Sequence, residues 1–223
     1  MVTWSGYVYT SPQADVLFSK SAVGATGDET LEFVAVVPAE DGAEDGAGGI
    51  AAEPVLATEP YEDYPGYWSV DLPPSARFTV RLSTDPVAVW RFWSPDRDAS
   101  WFAGALFGAE ADGVDALLTS LGEVVRSPAD SGLATVIGAP WAGDTEAPWS
   151  CADIRVAGVA PACFSVDADG VVSSVADGPL SYFVATDLPA GDVRVESGLG
   201  AEDSYPLAAG EVGMAYWFHG STE

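Results

Sequence analysis

Between Arg77 and Leu82 every second residue is apolar. Phe78, Val80 and Leu82 fall on one side, and Arg77, Thr79 and Arg81 on the other. Successive side chains of a strand point to opposite faces, so this stretch predicts a half-buried strand. Similar alternation opens the chain at residues 3–10, where Trp4, Gly6 and Val8 oppose Ser5, Tyr7 and Tyr9. Leu31 to Val37 predicts a further strand, between Gly27-Asp28 and Pro38. Val87 to Trp93 predicts another, ending at Ser94-Pro95. In the second half short apolar runs recur at Leu133–Ile137, Ile154–Val159, Cys163–Val166, Val171–Val175, Tyr182–Ala185, Val193–Val195 and Met214–Phe218. Turn residues separate them at intervals of about 10 residues, the spacing of a sandwich or barrel.

The period changes once. Over residues 109–126, Val114, Leu117, Leu118, Leu121, Val124 and Val125 fall at helical spacing. Asp112 is in place to cap this helix and Pro128 to stop it. A connector between two β-rich halves and a cover for one sheet are both open to it, and its apolar stripe reads as core packing. Residues 39–53 have no period at all. They repeat Glu-Asp-Gly-Ala, contain one sizeable apolar residue, Ile50, and read as a solvated acidic loop, with cation binding as the alternative. The expected architecture is mainly β. It has two Ig-like or prealbumin-like β-sandwich units, residues 1–108 and 128–223, with one connecting or covering α-helix across 109–127.

Two long segments share a sequence of features. Gly66 to Leu82 runs through Tyr67-Trp68, Asp71-Leu72-Pro73, a small-residue turn and the alternating strand above. Ser181 to Glu196 runs through Tyr182-Phe183, Asp187-Leu188-Pro189, Ala190-Gly191 and the alternation of Val193 and Val195. Each reads as strand, tight turn, strand. With Ala160 to Val172, which carries the Asp169-Gly170 turn, the second segment resembles the carboxypeptidase-regulatory-like and collagen-adhesin B-type β-sandwich modules. The first is similar to a more diverged copy, with Ser75 where those modules place Gly. The resemblance covers about half the chain. It implies prealbumin-like sandwiches of exported and cell-surface proteins, used for structure, adhesion or binding and without a general active site. Some adhesin modules form an internal Lys–Asn bond; this chain has no Asn and a single lysine, Lys20, so that feature is absent.

Charge narrows the partners. Asp and Glu number 34 against 8 Lys and Arg, a formal net charge of −26. Nucleic acid binding requires a cationic surface, so nucleic acid is not an expected partner. Anionic membrane surfaces are disfavoured on the same ground. A dispersed acidic surface, a saline habitat and selective metal binding are the readings left open. No apolar run of about 20 residues is present, so no membrane span is expected. Met1 to Gly6 lacks the basic and apolar regions of a leader, and the expected location, extracellular, cell-surface or periplasmic, comes from the resemblance.

Candidate chemistry is sparse. Cys151 and Cys163, 12 residues apart, flank a hairpin-like segment. A disulfide there would stabilise by about 3 kcal/mol and imply an oxidising compartment, and two buried thiols are the alternative. With these two cysteines and one histidine, His219, a Cys/His zinc site cannot be assembled. Asp167 and Asp169 precede Gly170 at a spacing used by Ca²⁺ loops, but no Glu follows at loop position 12, so a plain β-turn competes. No Gly-x-Ser-x-Gly elbow occurs, and catalysis is not expected. Of the eight tryptophans, Trp141 and Trp149, each beside a proline, frame an exposed aromatic site, with Trp101 as a third candidate; core filling is the competing use. The expected role is thus a non-catalytic exported or cell-surface protein with a protein or glycan partner. The alternatives are a carbohydrate-binding module using exposed Trp, and a virion or surface-appendage subunit.

Overall fold

The computed structural model describes residues 2–11, 31–35, 54–58, 67–72, 77–83, 87–93, 101–109, 111–122, 125–141, 150–167, 171–178, 180–197 and 202–218. Among them the protein is mainly β, with fifteen strands and one α-helix. The expected acidic loop at 39–53 lies outside the described residues. The chain falls into two compact units, Met1–Ala116 and Leu117–Glu223.

The first unit contains β1 (Val2–Ser11), β2 (Leu31–Ala35), β3 (Pro54–Thr58), β4 (Tyr67–Leu72), β5 (Arg77–Leu82), β6 (Ala88–Trp93) and β7 (Trp101–Ala109). One sheet has the order β4-β1-β7, and the other runs β6-β5-β2-β3. β1 pairs antiparallel with β4, Trp4 opposite Val70, and parallel with β7, Trp4 opposite Trp101. Alternation of apolar residues sends Trp4, Trp68, Val70 and Leu72 from the first sheet, and Leu31, Phe33, Phe78, Val80 and Leu82 from the second, into one core. Two ring pairs bridge the sheets. Trp4 meets Phe78 edge-on at 6.4 Å between centroids, and Trp68 meets Phe33 at 5.2 Å. Such pairs add about 0.5–1.5 kcal/mol beyond the area they bury. The Phe78–Val80–Leu82 face is therefore core, as the alternation requires. Thr79, expected to face solvent with Arg77 and Arg81, is also buried.

β4 and β5 do not form a hairpin. Asp71-Leu72 closes β4 in one sheet, and β5 opens in the other. The second Asp-Leu-Pro segment does the same. β12 (Tyr182–Pro189) and β13 (Gly191–Ser197) also belong to different sheets. The recurring segment thus marks, in each unit, a change of sheet rather than a local ladder.

The helix α1 (Ala111–Ser120) buries Val114, Leu117 and Leu118 on one side, and Leu121 follows them. The structure corrects three expectations here. Asp112 lies inside the helix rather than capping it. The helix ends well before Pro128, at Gly122, whose φ of +95° is a left-handed stop that suits glycine. Val125, assigned to the apolar stripe, is 72% exposed because the helix has ended before reaching it.

The second unit contains β8 (Leu133–Trp141), β9 (Ile154–Val156), β10 (Ala162–Val166), β11 (Val172–Ser174), β12, β13, β14 (Glu202–Leu207) and β15 (Val212–Phe218). One sheet runs β11-β10-β12-β8-β15 and the other β14-β13-β9. β15 lies parallel to β8, from Val212 opposite Thr135 to Phe218 opposite Trp141. Val136, Ile137, Phe183, Val184, Val193, Val195, Tyr205 and Leu207 are buried in this unit. Cys151 and Cys163 form a disulfide joining the turn before β9 to β10, and so joining the two sheets.

Candidate functional site

A groove of about 570 Å³ opens in the second unit, within the size range of small-ligand sites. Three segments line it. They are Val125, Arg126 and Pro128 on the approach to β8, the loop Val159–Ala162 before β10, and Val184–Asp187 of β12.

The β12 wall is shaped by an irregularity. β12 pairs with β8 at Phe183, Val184 and Ala185, then slips register before Leu188 and Pro189 resume. Within the slip Asp187 takes a φ of +57°, a left-handed conformation that costs an ordinary L-residue about 1–2 kcal/mol but which Asp tolerates better than most. Ser127 holds it there. The Asp187 backbone N–H donates to Ser127 Oγ at 2.6 Å, and Ser127 Oγ lies 3.4 Å from Asp187 Oδ1. Ser127 is itself buried and fixed, its N–H donating to Thr135 Oγ1 at 2.9 Å. Ser127→Ala leaves the Asp187 N–H without its acceptor, and we expect a loss of about 1–3 kcal/mol, read from the shift in denaturant midpoint. A stability equal to that of the parent protein would show that the bulge holds itself.

The loop wall is shaped by a turn and by the disulfide. Val156 and Val159 exchange backbone hydrogen bonds at 2.9 and 3.0 Å around Ala157-Gly158, which carry φ values of +50° and +78°. Positive φ at both central residues is the mark of the tight turn whose twist matches paired strands. This turn presents Val159 outward, 56% exposed. Pro161 follows and is buried, with both disulfide sulfurs within 3.9 Å of its carbonyl oxygen. Proline has no N–H to extend a ladder. The pairing of β10 with β12 accordingly starts at Ala162 opposite Val184, and among the described residues β12 beyond Val184 borders the groove instead of a strand on this side.

The groove's walls are about as polar as they are apolar, and they carry one cation, Arg126, and one carboxylate, Asp187. Three large apolar side chains are exposed among the described residues, Val125, Val159 and Val171, at 72%, 56% and 57%. Two of the three, Val125 and Val159, line the groove.

The sites expected from sequence are not among the described residues that line the groove. Trp101 starts β7 and Trp141 ends β8, but their side chains are outside the described set, as is the whole of Trp149. Asp167 Oδ1 accepts the Val171 N–H at 2.8 Å, and the two residues also pair through Asp167 N–H and Val171 O at 3.1 Å. Asp169 and Gly170 are outside the described residues. Among the described residues no group of three or more His, Cys, Asp or Glu gathers as metal ligands would. No described helix is long and apolar enough to cross a membrane. The groove itself escaped the sequence reading. Its one local signal is Ala160-Pro161 interrupting the apolar run into β10.

No family model matches the sequence, and no curated protein matches it. Among solved structures the chain is similar to the minor pilin of Streptococcus agalactiae, at 9% identity over 97% of this chain and 94% of that one, with a TM-score of 0.26. It is also similar to a streptococcal ancillary pilin, at 12% identity over 96% of this chain and 67% of the other, with a TM-score of 0.26. A leucine-rich repeat protein of Bacteroides thetaiotaomicron matches at 10% identity over 97% of this chain and 26% of its own, with a TM-score of 0.21. At such TM-scores the likeness assigns neither a shared fold nor a shared role.

Proposed function

We propose that this chain is a non-catalytic protein of the cell surface or extracellular space, with a structural or adhesive role exercised through contact with another protein. The observation that carries the reading is the groove of the second unit, whose exposed valines form an apolar rim around an interrupted strand edge. The inter-sheet disulfide supports the exported setting, because such bonds persist in oxidising compartments. The net charge of −26 supports it too, since it keeps an exposed surface dispersed and repels anionic polymers. Protease treatment of intact source cells tests the setting. We expect the protein to be digested without lysis, and full protection until the cells are broken would overturn the exported reading.

A further inference from the structure

We infer that the groove is a binding site for a small zwitterion, a free α-amino acid with an aliphatic side chain. The inference goes beyond the protein contact proposed above and concerns what the groove itself can hold.

The groove offers one charge of each sign from different segments, Arg126 on the approach to β8 and Asp187 on β12. Their backbones are tied together. Ser127, next to Arg126, is buried, and its hydroxyl accepts the Asp187 N–H at 2.6 Å while its own N–H donates to Thr135 Oγ1. Both charges are thus anchored to one hydrogen-bonded frame, the preorganisation that lowers the cost of binding. Arg126 is half-buried and Asp187 exposed. The remaining lining includes Pro161 and Val184, both buried, and the exposed Val159.

That composition selects a ligand that is neutral overall but charged at two points. A ligand with a single charge pairs with one of the two ions and lays its apolar body against the other, which loses water without gaining a partner. An α-amino acid carries a carboxylate and an ammonium on one carbon, with its side chain as a third arm. The carboxylate fits the planar fork of Arg126, whose five N–H donors can take it while keeping another partner. The ammonium fits Asp187, and an aliphatic side chain fits Val159, Pro161 and Val184. The volume of about 570 Å³ is that of a small-ligand site.

The test titrates the full chain with L-leucine and follows the backbone NMR signals of Ala160, Ala162 and Thr186, which line the groove. The ligand is taken to about 10 mM, tenfold above a millimolar Kd. Two analogues remove one charge each: L-leucinamide keeps only the ammonium, and N-acetyl-L-leucine only the carboxylate. We expect leucine to shift all three signals. It should bind about tenfold more tightly than leucinamide, which forgoes the half-buried Arg126, and about threefold more tightly than N-acetylleucine, which forgoes the exposed Asp187. The variants should show the same pairing. Leucine's advantage over leucinamide should vanish in Arg126→Gln, and its advantage over N-acetylleucine should shrink in Asp187→Asn. Asp187→Asn keeps an Oδ1 acceptor and a residue that tolerates the left-handed backbone. Arg126→Lys keeps the charge without the fork and should fall between the parent and Arg126→Gln, so the result does not hang on the folding of one variant. Analogues that bind the groove as well as leucine, or advantages that survive the matching variants, would overturn the zwitterion. Leucine that leaves the three signals unmoved would overturn the site, and neither result bears on the exported setting that protease treatment of intact cells tests.

Discussion

Gly138→Ala should destabilise the second unit by about 3 kcal/mol, at the upper end of what overpacking a core costs. Gly138 on β8 lies directly opposite Phe183 on β12, and the Phe183 ring folds across it. A Cβ at position 138 would stand 1.9 Å from Phe183 Cζ and 2.2 Å from Cε1. Phe183 is fully buried, so the ring has no solvent-facing rotamer to retreat to. An aromatic laid over a cross-strand glycine is a recognised way of filling the gap glycine leaves in a sheet. The clash therefore has to be relieved by parting β8 from β12, the strands that also hold the groove's bulge. Urea unfolding of the single and double variants checks this. Phe183→Leu alone removes packing and is expected to destabilise, but combined with Gly138→Ala it should recover part of the glycine variant's loss. A Gly138→Ala protein within about 0.5 kcal/mol of the parent would mean that the ring moves freely.

Replacing both Cys151 and Cys163 by Ser should cost about 3 kcal/mol, the expected contribution of a bond closing a loop of this length in the unfolded chain. Its location makes the consequence more than entropic. The bond ties the turn before β9 to β10 across the two sheets of the unit, and both sulfurs pack on the Pro161 carbonyl that sets the groove's loop wall. Reduction of the native protein should reproduce the loss of the serine variant. Hydrogen exchange at Ala160 and Ala162 should rise in both cases even where the unit stays folded, because a local opening precedes global unfolding. Stability and exchange that ignore reductant would show that the remaining packing holds the wall alone.

Much of the fold was legible because it is written in local alternation. Phe78, Val80 and Leu82 are buried as their period requires, and the helix was readable from Val114, Leu117, Leu118 and Leu121. Two of the strands that the sequence does not predict, β7 and β14, are hidden for different reasons. Trp101 to Ala109 has little alternation and much Gly and Ala, and its pairing is with β1, about a hundred residues earlier and parallel, so no turn announces it. Glu202 to Leu207 carries Pro206, which argues against a strand. It is tolerated because β14 is the edge of its sheet and pairs only with β13. The recurring Asp-Leu-Pro segment was seen, but strand–turn–strand fits a hairpin and a change of sheet equally well until long-range pairing is known. The groove was hidden for the same reason: residues 125–128, 159–162 and 184–187 meet only through the ladders of β8, β10 and β12.

Both units pair their first and last long strands in parallel, β1 with β7 and β8 with β15. In such a pair the chain enters at one end of one strand and leaves at the opposite end of the other. Tension applied to the two ends of a unit is then directed along the strands, and the hydrogen bonds from Val212–Thr135 to Phe218–Trp141 share it together. An antiparallel pair pulled from one end opens one bond at a time. Rupture under pulling is governed by the unfolding barrier rather than by equilibrium stability. The arrangement of terminal strands therefore gives each unit a mechanical strength that a melting temperature does not report.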